Sequence, residues 1–279
     1  MANKIAVITG TSSGFGLLTA VELARQGFEV VATMRDLGRR SYLEEAAARA
    51  GVGAKIDVRK LDVTEFDRIP SFVAEVLGDY KRIDVLVNNA GFAMAGFAED
   101  LQLEEIRLQF ETNFFGAVAM TKAVLPAMRA QKSGHIIMLS SVGGQHGSPI
   151  ISSYSASKHA LEGWSESLRL EVGSLGIKVV LIEPGAFQTD IWTRNAKLGE
   201  RVSDAASPNL ERAQKMQAHV SKMPKGDPLD VVRRIAQVAQ DPNPRLRYLV
   251  GSDARVQMWL KRVLPWKWHE KIVARAVGL

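Results

Sequence analysis

A tyrosine and a lysine four residues apart are placed to do acid–base chemistry. Tyr154 and Lys158 lie in a segment with helical periodicity, so their side chains share one face of the predicted helix. A phenol with a pKa of about 10 is a poor base at neutral pH, but a neighbouring ammonium group favours the phenolate and lowers that pKa. The pair is therefore suited to exchanging a proton with an alcohol or carbonyl oxygen. Because this spacing is common by chance, the prediction depends on the residues around it.

Polar residues that follow two predicted strands would face the same edge of a sheet. Ser140 and Ser141 close the fifth strand, and residues 88–91, with the sequence NNAG, close the fourth. Ligands of open parallel sheets bind beyond the carboxyl ends of the strands. A serine hydroxyl there can hold a substrate oxygen, and NNAG either closes a cofactor cleft or forms an Asn-Gly-type turn. Asn113 lies inside a predicted helix, where asparagine is unfavourable, which indicates either a function or a surface position.

A glycine-rich turn joins the first predicted strand to the first helix. Its sequence, TGTSSGFG at residues 9–16, places Gly10, Gly14 and Gly16 together. Glycines permit a tight turn and let a pyrophosphate approach backbone N–H groups at a helix N-terminus. The spacing differs from the GxGxxG pattern of the general dinucleotide fingerprint. Its position between a buried strand and an amphipathic helix favours a dinucleotide site over a plain strand–helix turn.

The end of the second predicted strand indicates which nicotinamide cofactor binds. NAD sites usually place an acid about 20 residues after the glycine turn for the ribose 2′-hydroxyl, whereas this strand ends at Arg35. A 2′-phosphate pairs with a guanidinium group, and Ser12 could add a hydroxyl donor. Asp36 weighs against this reading, and Arg39 and Arg40 are expected to be solvated. We therefore predict NADP(H) rather than NAD(H).

Short apolar runs alternate with helical segments along the chain. The runs are continuously apolar, as in strands buried on both faces. We predict an α/β fold, a doubly wound (Rossmann) seven-stranded parallel sheet with helices on both faces. The predicted strands are Ile5–Thr9, Glu29–Met34, Ile56–Leu61, Val85–Asn88, His135–Ser140, Val179–Glu183 and Arg247–Val250.

Residues 1–279 are predicted to form a single dinucleotide-binding domain, since no linker divides them. Residues 187–227 contain two prolines, many charges and no strand-like run. We expect this segment to be an irregular insertion that forms a lid over the substrate.

Composition excludes several classes of site. The chain has no cysteine, which excludes disulfides and thiolate chemistry, and its five histidines show no metal-ligand spacing, so no metal is expected. The net charge of +6 is dispersed, so nucleic-acid binding is not expected. With no signal-like start and no membrane-length apolar run, we expect a cytoplasmic protein.

The C-terminal tail, Gln257–Leu279, carries Trp259, Trp266 and Trp268 among basic residues. A basic, tryptophan-bearing helix can lie on an anionic membrane surface. The alternative is a terminal helix that packs on its own domain, a partner subunit or the substrate mouth. Because Pro265 interrupts the amphipathic pattern, we favour packing over membrane association.

Together, these motifs resemble the short-chain dehydrogenase/reductase family, in the branch that acts on single carbonyl–alcohol pairs. The resemblance covers residues 4–190 densely. Phe15, where isoleucine is commonest, and the run MRDL at residues 34–37 are more similar to hydroxysteroid and retinol dehydrogenases. The positions that carry the resemblance are TGxxxGxG at 9–16, Asp62 and Val63, NNAG at 88–91, Asn113, Ser141, Tyr154, Lys158, and Pro184 with Gly185.

The resemblance implies a role for each catalytic residue. Tyr154 would be the general acid/base, Lys158 would lower its pKa and bind the nicotinamide ribose, Ser141 would orient the substrate oxygen, and Asn113 would hold a water behind Lys158. Asp62 and Val63 would contact the adenine, Asn89 and Ala90 the ribose side, and Thr189, Pro184 and Gly185 the nicotinamide. The predicted cofactor-binding residues are Gly10, Ser12, Ser13, Gly14, Phe15, Gly16, Arg35, Asp62, Val63, Asn89, Ala90, Gly91, Tyr154, Lys158, Pro184, Gly185 and Thr189.

The predicted function is an NADP(H)-dependent oxidoreductase that transfers hydride between nicotinamide and a hydrophobic carbonyl or secondary alcohol. The alternatives are a non-catalytic NADP(H)-binding regulator and an NAD-dependent alcohol dehydrogenase of the same family. The resemblance also implies a homodimer or homotetramer. The apolar residues expected to border the substrate pocket are Phe92, Met94, Phe97, Phe187 and Trp192.

Overall fold

A computed structural model describes residues 3–189, 191, 196–204, 206–221 and 225–276 of the chain. Its strands lie close to the predicted ones, with ends that differ by one or two residues in three of them. The strands of the described residues are β1 (Ile5–Thr9), β2 (Glu29–Met34), β3 (Ile56–Lys60), β4 (Val85–Asn88), β5 (Ala93–Ala95), β6 (Gly134–Leu139), β7 (Ile177–Pro184), β8 (Ala196–Leu198) and β9 (Arg247–Val250).

Seven of these strands form one parallel sheet, in the order β3-β2-β1-β4-β6-β7-β9. The predicted α/β doubly wound architecture is therefore confirmed. From β1 the chain builds outward to β3, returns to β4 on the other side of β1, and then builds outward to β9. The direction reverses between β1 and β4, and a crevice opens beyond the carboxyl ends of strands at such a point.

Helices cover both faces of the sheet. Those of the described residues are α1 (Gly14–Arg25), α2 (Arg40–Arg49), α3 (Arg68–Tyr80), α4 (Leu103–Phe110), α5 (Gly116–Gln131), α6 (Ser152–Val172), α7 (Leu210–Ser221), α8 (Pro228–Val238), α9 (Ser252–Val263) and α10 (Trp266–Ala276). Helices α3, α5 and α6 share one hydrophobic core with the sheet, and α1, α2 and α8 share the other.

The strands contribute side chains to both cores. Along β1, Ile5 and Val7 belong to the core under α3, α5 and α6, while Ala6 and Ile8 belong to the opposite one. Because successive strand residues point to opposite faces, every residue of such a strand must be apolar. This is why the sequence pattern is a continuous apolar run.

The segment 187–227 is more regular than predicted. Its described residues include β8, which pairs in parallel with β5, and helix α7. The helix buries Met216 but consists mainly of charged and polar residues, so its apolar pattern is weak. The expectation of an irregular insertion was therefore wrong for this segment.

The C-terminal tail packs on its own domain. Pro265 separates α9 from α10, as expected, since its ring cannot continue the first helix. Lys261 donates a hydrogen bond to the carbonyl oxygen of Gln145, and the buried His269 contacts His146 edge-to-face at 5.0 Å. Trp259, Trp266 and Trp268 remain exposed. Among the described residues, no helix is long and apolar enough to span a membrane.

Candidate active site

A cleft opens where the strand order reverses, beyond the carboxyl ends of β1 and β4. Most residues that the sequence singled out line this cleft. The predicted residues that line it are Gly10, Ser12, Ser13, Gly14, Phe15, Arg35, Asp62, Val63, Asn89, Ala90, Gly91, Asn113, Ser141, Tyr154, Lys158, Pro184, Gly185 and Thr189. Gly16 does not line the cleft.

The glycine-rich turn after β1 packs closely against the segment that follows β4. Gly10 (φ +72°) and Gly14 (φ +56°) have left-handed backbone conformations that favour glycine. A side chain at Gly10 would lie 2.8 Å from Cα of Ala90, and one at Gly16 would lie 2.3 Å from the carbonyl oxygen of Gly10. Gly16 therefore permits close packing inside the turn and does not itself face a ligand.

The segment NNAG closes the turn and is not a free Asn-Gly turn. The side-chain amide of Asn89 donates to the carbonyl oxygens of Thr9 (2.8 Å) and Gly10 (2.9 Å). The Thr9 hydroxyl in turn accepts the backbone N–H groups of Asn89 and Ala90, each at 3.0 Å. These bonds hold the end of β4 against the glycine turn.

Two arginines lie at the end of the cleft beyond β2. Arg35 is exposed and Arg39 is half-buried, and both line the cleft, contrary to the expectation that Arg39 is solvated. Asp36 does not line it, because its carboxylate accepts the Gly38 N–H at 2.9 Å and caps the following turn. Arg40 also lies outside the cleft and pairs with Glu44 at 3.5 Å. The cleft is therefore cationic at this end.

The carboxylate of Asp62 is fixed at the cleft wall after β3. Its Oδ1 accepts the Thr64 N–H at 3.0 Å and the Thr64 hydroxyl at 2.8 Å. Val63 packs against Gly116 of α5, where a side chain would lie 2.8 Å from a Val63 methyl group. This local turn presents both residues to the cleft, as the family resemblance implies.

Tyr154, Ser141 and Lys158 lie together in the cleft wall. Tyr154 is 4% exposed and Lys158 is 5% exposed, although both side chains line the cleft. The Tyr154 hydroxyl interacts with the Ser141 hydroxyl, and the Ser141 hydroxyl accepts the Gly143 N–H at 3.0 Å. The ammonium group of Lys158 donates to the Leu139 carbonyl oxygen at 2.5 Å and lies 5.8 Å from the centre of the Tyr154 ring.

The pKa of Tyr154 moves in the direction opposite to our prediction. Burial raises the pKa of Tyr154 to about 12, and the hydrogen bond from Ser141 offsets this only in part. Burial also lowers the pKa of Lys158 to about 8, against the charge of Glu162, which raises it. The predicted lowering of the Tyr154 pKa is not seen because desolvation of the phenolate dominates.

Asn113 lies on a π-helical turn, Glu111–Phe115, between α4 and α5. Such a turn inserts one residue into a helix and often marks a functional site. The buried Asn113 side chain accepts the Phe92 N–H (3.1 Å) and donates to the Phe92 carbonyl oxygen (3.0 Å). The surface alternative for Asn113 is therefore excluded, and its side chain connects the helix to the segment that follows β4.

The nicotinamide side of the predicted site is formed by the loop after β7. Asp253 of α9 accepts the Ala186 N–H at 2.7 Å and occupies the space that a side chain at Gly185 would need. Phe187 packs edge-to-face on Phe15, with ring centres 5.9 Å apart, and Thr189 lies beside Gly14. A helix near the C-terminus thus fixes the loop that carries Pro184, Gly185 and Thr189.

The apolar residues expected at the substrate pocket separate into two groups. Phe92 and Phe187 line the cleft. Met94 does not, because it packs with Phe92 and Leu101 in a small separate core, and Phe97 lies under the Arg212 guanidinium group instead. Trp192 lies outside the described residues.

Sequence reasoning missed several residues that line the cleft. Thr112 comes from the π-helical turn, and Ile191, Ala196 and Lys197 come from the insertion and β8. Lys197 places its ammonium group 5.0 Å from the centre of the Phe92 ring. The pairing of β8 with β5 holds Ala196 and Lys197 in place, and no local pattern in the sequence indicates that pairing. Met34, Leu61, Leu139 and Ser140 complete the lining.

Comparison with known proteins decides which family has this geometry. Residues 4–198 match the family model described as short chain dehydrogenase. The chain belongs to the short-chain dehydrogenase/reductase family. Members of this family are oxidoreductases, so the predicted resemblance is confirmed.

Individual relatives are similar to this short-chain dehydrogenase/reductase over most of its length. It is 42% identical to the uncharacterized oxidoreductase YusZ of Bacillus subtilis over 278 residues, which cover 99% of both chains. It is 38% identical to human retinol dehydrogenase 8 over 262 residues, covering 88% of this chain and 81% of the relative. A crystal structure of a metagenomic short-chain oxidoreductase in complex with NADP is similar with a TM-score of 0.70 and 27% identity, covering 90% of this chain and 97% of the other.

Proposed function

We propose that this protein is an NADP(H)-dependent oxidoreductase that interconverts a hydrophobic carbonyl compound and the corresponding alcohol, with Tyr154 as general acid/base. The observation that carries the proposal is that Tyr154, Ser141, Lys158 and Asn113 share one cleft with a bare glycine turn. These residues come from three different helices or loops and meet only in the folded chain.

The residues of the cleft fit a dinucleotide phosphate. The turn at Gly10 and Gly14 leads into α1, whose first turn contains no acidic residue, so its N-terminus favours a pyrophosphate. Arg35 and Arg39 at the far end favour the 2′-phosphate of NADP(H) over the bare ribose of NAD(H). The structural neighbour that binds NADP supports the same choice.

The protein residues would supply position and protons. When bound, the nicotinamide supplies or accepts the hydride. Ser141 would orient the substrate oxygen, and Tyr154 would donate its proton to that oxygen during reduction and take it back during oxidation. A high pKa keeps the Tyr154 hydroxyl protonated at neutral pH, which suits it to act as the acid in carbonyl reduction. The charged Lys158 would favour the phenolate left behind.

The substrate would be apolar and would lie under the insertion. Phe92 and Phe187 provide aromatic walls, and Ile191 and Lys197 extend the cleft from the segment 187–227. The relative named retinol dehydrogenase 8 also acts, by its name, on an apolar alcohol. We infer that residues 187–227 form a lid within a single domain that comprises residues 1–279.

The protein would act as a homodimer or homotetramer, as expected from its family. Helices α4 and α6 and the π-helical turn Glu111–Phe115 expose large apolar side chains. These side chains are Leu103, Leu108, Phe115 and Leu170. A second copy of the chain would cover them.

A substrate screen tests the proposal. The purified protein would be mixed with NADPH and a panel of aldehydes, ketones, retinoids and steroids, and NADPH oxidation would be followed by absorbance. We expect oxidation with at least one apolar carbonyl compound and faster turnover with NADPH than with NADH. Tight NADPH binding without oxidation of any compound would favour a cofactor-binding regulator instead.

A further inference from the structure

Two buried glutamates, Glu162 and Glu183, lie close to each other. Glu162 belongs to α6, one helical turn after Lys158, and Glu183 lies near the end of β7. Glu183 is 0% exposed and Glu162 is 5% exposed. Neither residue lines the cleft, and the mechanism above does not use them.

One arginine faces both carboxyl groups. Nε of Arg247, on β9, lies 2.9 Å from Glu162 and 3.4 Å from Glu183. A second nitrogen of the same guanidinium group binds the exposed carboxylate of Glu166 at 2.7 Å. A single positive charge is thus shared among three acidic side chains, and only Glu166 is accessible to water.

Each buried carboxyl group also has one oxygen without a donor. Glu162 Oε1 and Glu183 Oε2 have no hydrogen-bond partner among the described residues. Two buried carboxylates close together repel each other, and a proton held between them removes the repulsion and satisfies both oxygens. In agreement with this, burial and the charge of Glu162 raise the pKa of Glu183 to about 8.

We propose that Glu162 and Glu183 form a carboxyl pair that holds one proton, on Glu183, and that its remaining negative charge, on Glu162, keeps the ammonium group of Lys158 charged. The same nitrogen of Arg247 lies within 3.4 Å of both carboxyl groups, and Glu162 is one helical turn from Lys158, whose pKa its charge raises. Glu162 would be a positioning residue that acts through Lys158. The positioning role of Glu162 rests on the proposed function, whereas the proton shared by the two carboxyl groups does not.

The surroundings explain why the proton belongs on Glu183. Glu162 receives the shorter contact from Arg247 and faces Lys158, so two cations favour its ionised form. Glu183 faces Arg247 at a longer distance and is the more deeply buried of the two, which raises its pKa; the hydrogen bond that it accepts from the side-chain amide of Gln145 offsets this only in part. Lys261 of α9 donates to the backbone carbonyl oxygen of Gln145. The ionisable groups around the pair are Lys158 and Glu166 on α6, Arg247 on β9 and Lys261 on α9.

Titration of glutamate carboxyl groups by ¹³C NMR, in the cofactor-free protein, tests the shared proton without any turnover. In the wild-type protein we expect one glutamate to titrate well above the usual range, near pH 8. Glu183→Gln should abolish that titration, because glutamine replaces the protonated acid. Glu162→Gln should move it down toward the ordinary glutamate range, because the neighbouring charge is gone.

The matched control is Glu166→Gln, which removes a carboxylate bound to the same guanidinium group but exposed to water. It should leave the high titration in place. A wild-type protein in which no glutamate titrates above the usual range would overturn the proposal. Loss of the high titration in Glu166→Gln would overturn it as well. The wild-type result stands even where a variant fails to fold.

The effect on Lys158 is measured separately, by ¹³C NMR titration of the lysine side chains. Glu162→Gln should lower the pKa of Lys158, and Glu166→Gln should leave that pKa unchanged. An unchanged pKa of Lys158 in Glu162→Gln would contradict the positioning role of Glu162. With an active substrate, the pH at which kcat/KM falls should move down in Glu162→Gln by the same amount. Absence of all turnover alongside the expected titrations would refute the proposed function and leave the carboxyl pair standing.

Discussion

The ammonium group of Lys158 is bound to the carbonyl oxygen of Leu139, the last residue of β6, at 2.5 Å. This contact ties helix α6 to the end of β6, at the wall of the cleft. The bond holds the lysine in a dry environment, where its charge is costly. The consequences can be measured without knowing the substrate.

Stability should depend on pH through Lys158. Its pKa in the folded protein, about 8, lies below the usual 10.5, so between these values the unfolded chain binds more protons than the folded one. Stability contributed by this group therefore rises with pH across that window, by a total on the order of 3 kcal/mol. Urea unfolding at pH 7.5 and at pH 10 should show the unfolding free energy of the wild type rising relative to that of Lys158→Met; a fall relative to the variant would contradict the burial argument.

Two buried amides near β5 make the same kind of contact but should differ in function. Asn113 binds the N–H and carbonyl groups of Phe92, and Gln109 binds the Met94 N–H and the Phe92 carbonyl, both at 2.8 Å. Replacing either residue by alanine leaves buried polar groups without hydrogen-bond partners, which lowers the free energy of unfolding by about 1–3 kcal/mol. Only Asn113 lines the cleft, so only Asn113→Ala should also reduce turnover beyond the loss of folded protein. Equal turnover per folded molecule in both variants would remove Asn113 from the site.

Cofactor preference should depend on Arg35. Arg35→Ala should weaken NADPH binding by about 10- to 100-fold, since a charge-assisted contact with the 2′-phosphate is worth about 1.5–3 kcal/mol, and should leave NADH binding nearly unchanged. Arg40→Ala is the matched control, because Arg40 pairs with Glu44 outside the cleft. Fluorescence titration with both cofactors measures the effect. An equal loss for NADPH and NADH would show that Arg35 does not face the 2′-phosphate.

Oligomerisation should depend on the exposed apolar side chains of α4, α6 and the π-helical turn between α4 and α5. Phe115→Glu places a charge among these side chains and should reduce the molar mass found by light scattering to that of one chain. Tyr42→Glu, which changes an exposed aromatic residue on α2, serves as the control. An unchanged mass for Phe115→Glu, or an equal loss for Tyr42→Glu, would place the subunit interface elsewhere.

The main architecture was predictable because the sheet is buried on both faces. Strands such as β1, whose successive residues enter opposite cores, must be continuously apolar, and this pattern is visible in the sequence. The glycine turn was predictable for a related reason, since a tight turn without side chains requires Gly10 and Gly14.

Features that depend on distant contacts were not predictable. The π-helical turn that buries Asn113 depends on its bonds to Phe92, and the pairing of β8 with β5 holds Lys197 in place at the cleft. The pKa of Tyr154 was mispredicted because spacing along a helix indicates which groups are neighbours but not how deeply they are buried. The direction of the Lys158 ammonium group is likewise set by Leu139, nineteen residues away.

The central claim is that the Tyr154 hydroxyl exchanges a proton with a substrate oxygen beside a reduced nicotinamide. The most direct measurement compares Tyr154→Phe with wild type for NADPH affinity and for NADPH oxidation, using the best carbonyl compound from the screen and Tyr248→Phe as the control. We predict unchanged NADPH affinity and a loss of turnover on the order of 10²- to 10⁴-fold in Tyr154→Phe, and little effect in Tyr248→Phe. Turnover of Tyr154→Phe close to that of the wild type would contradict the account.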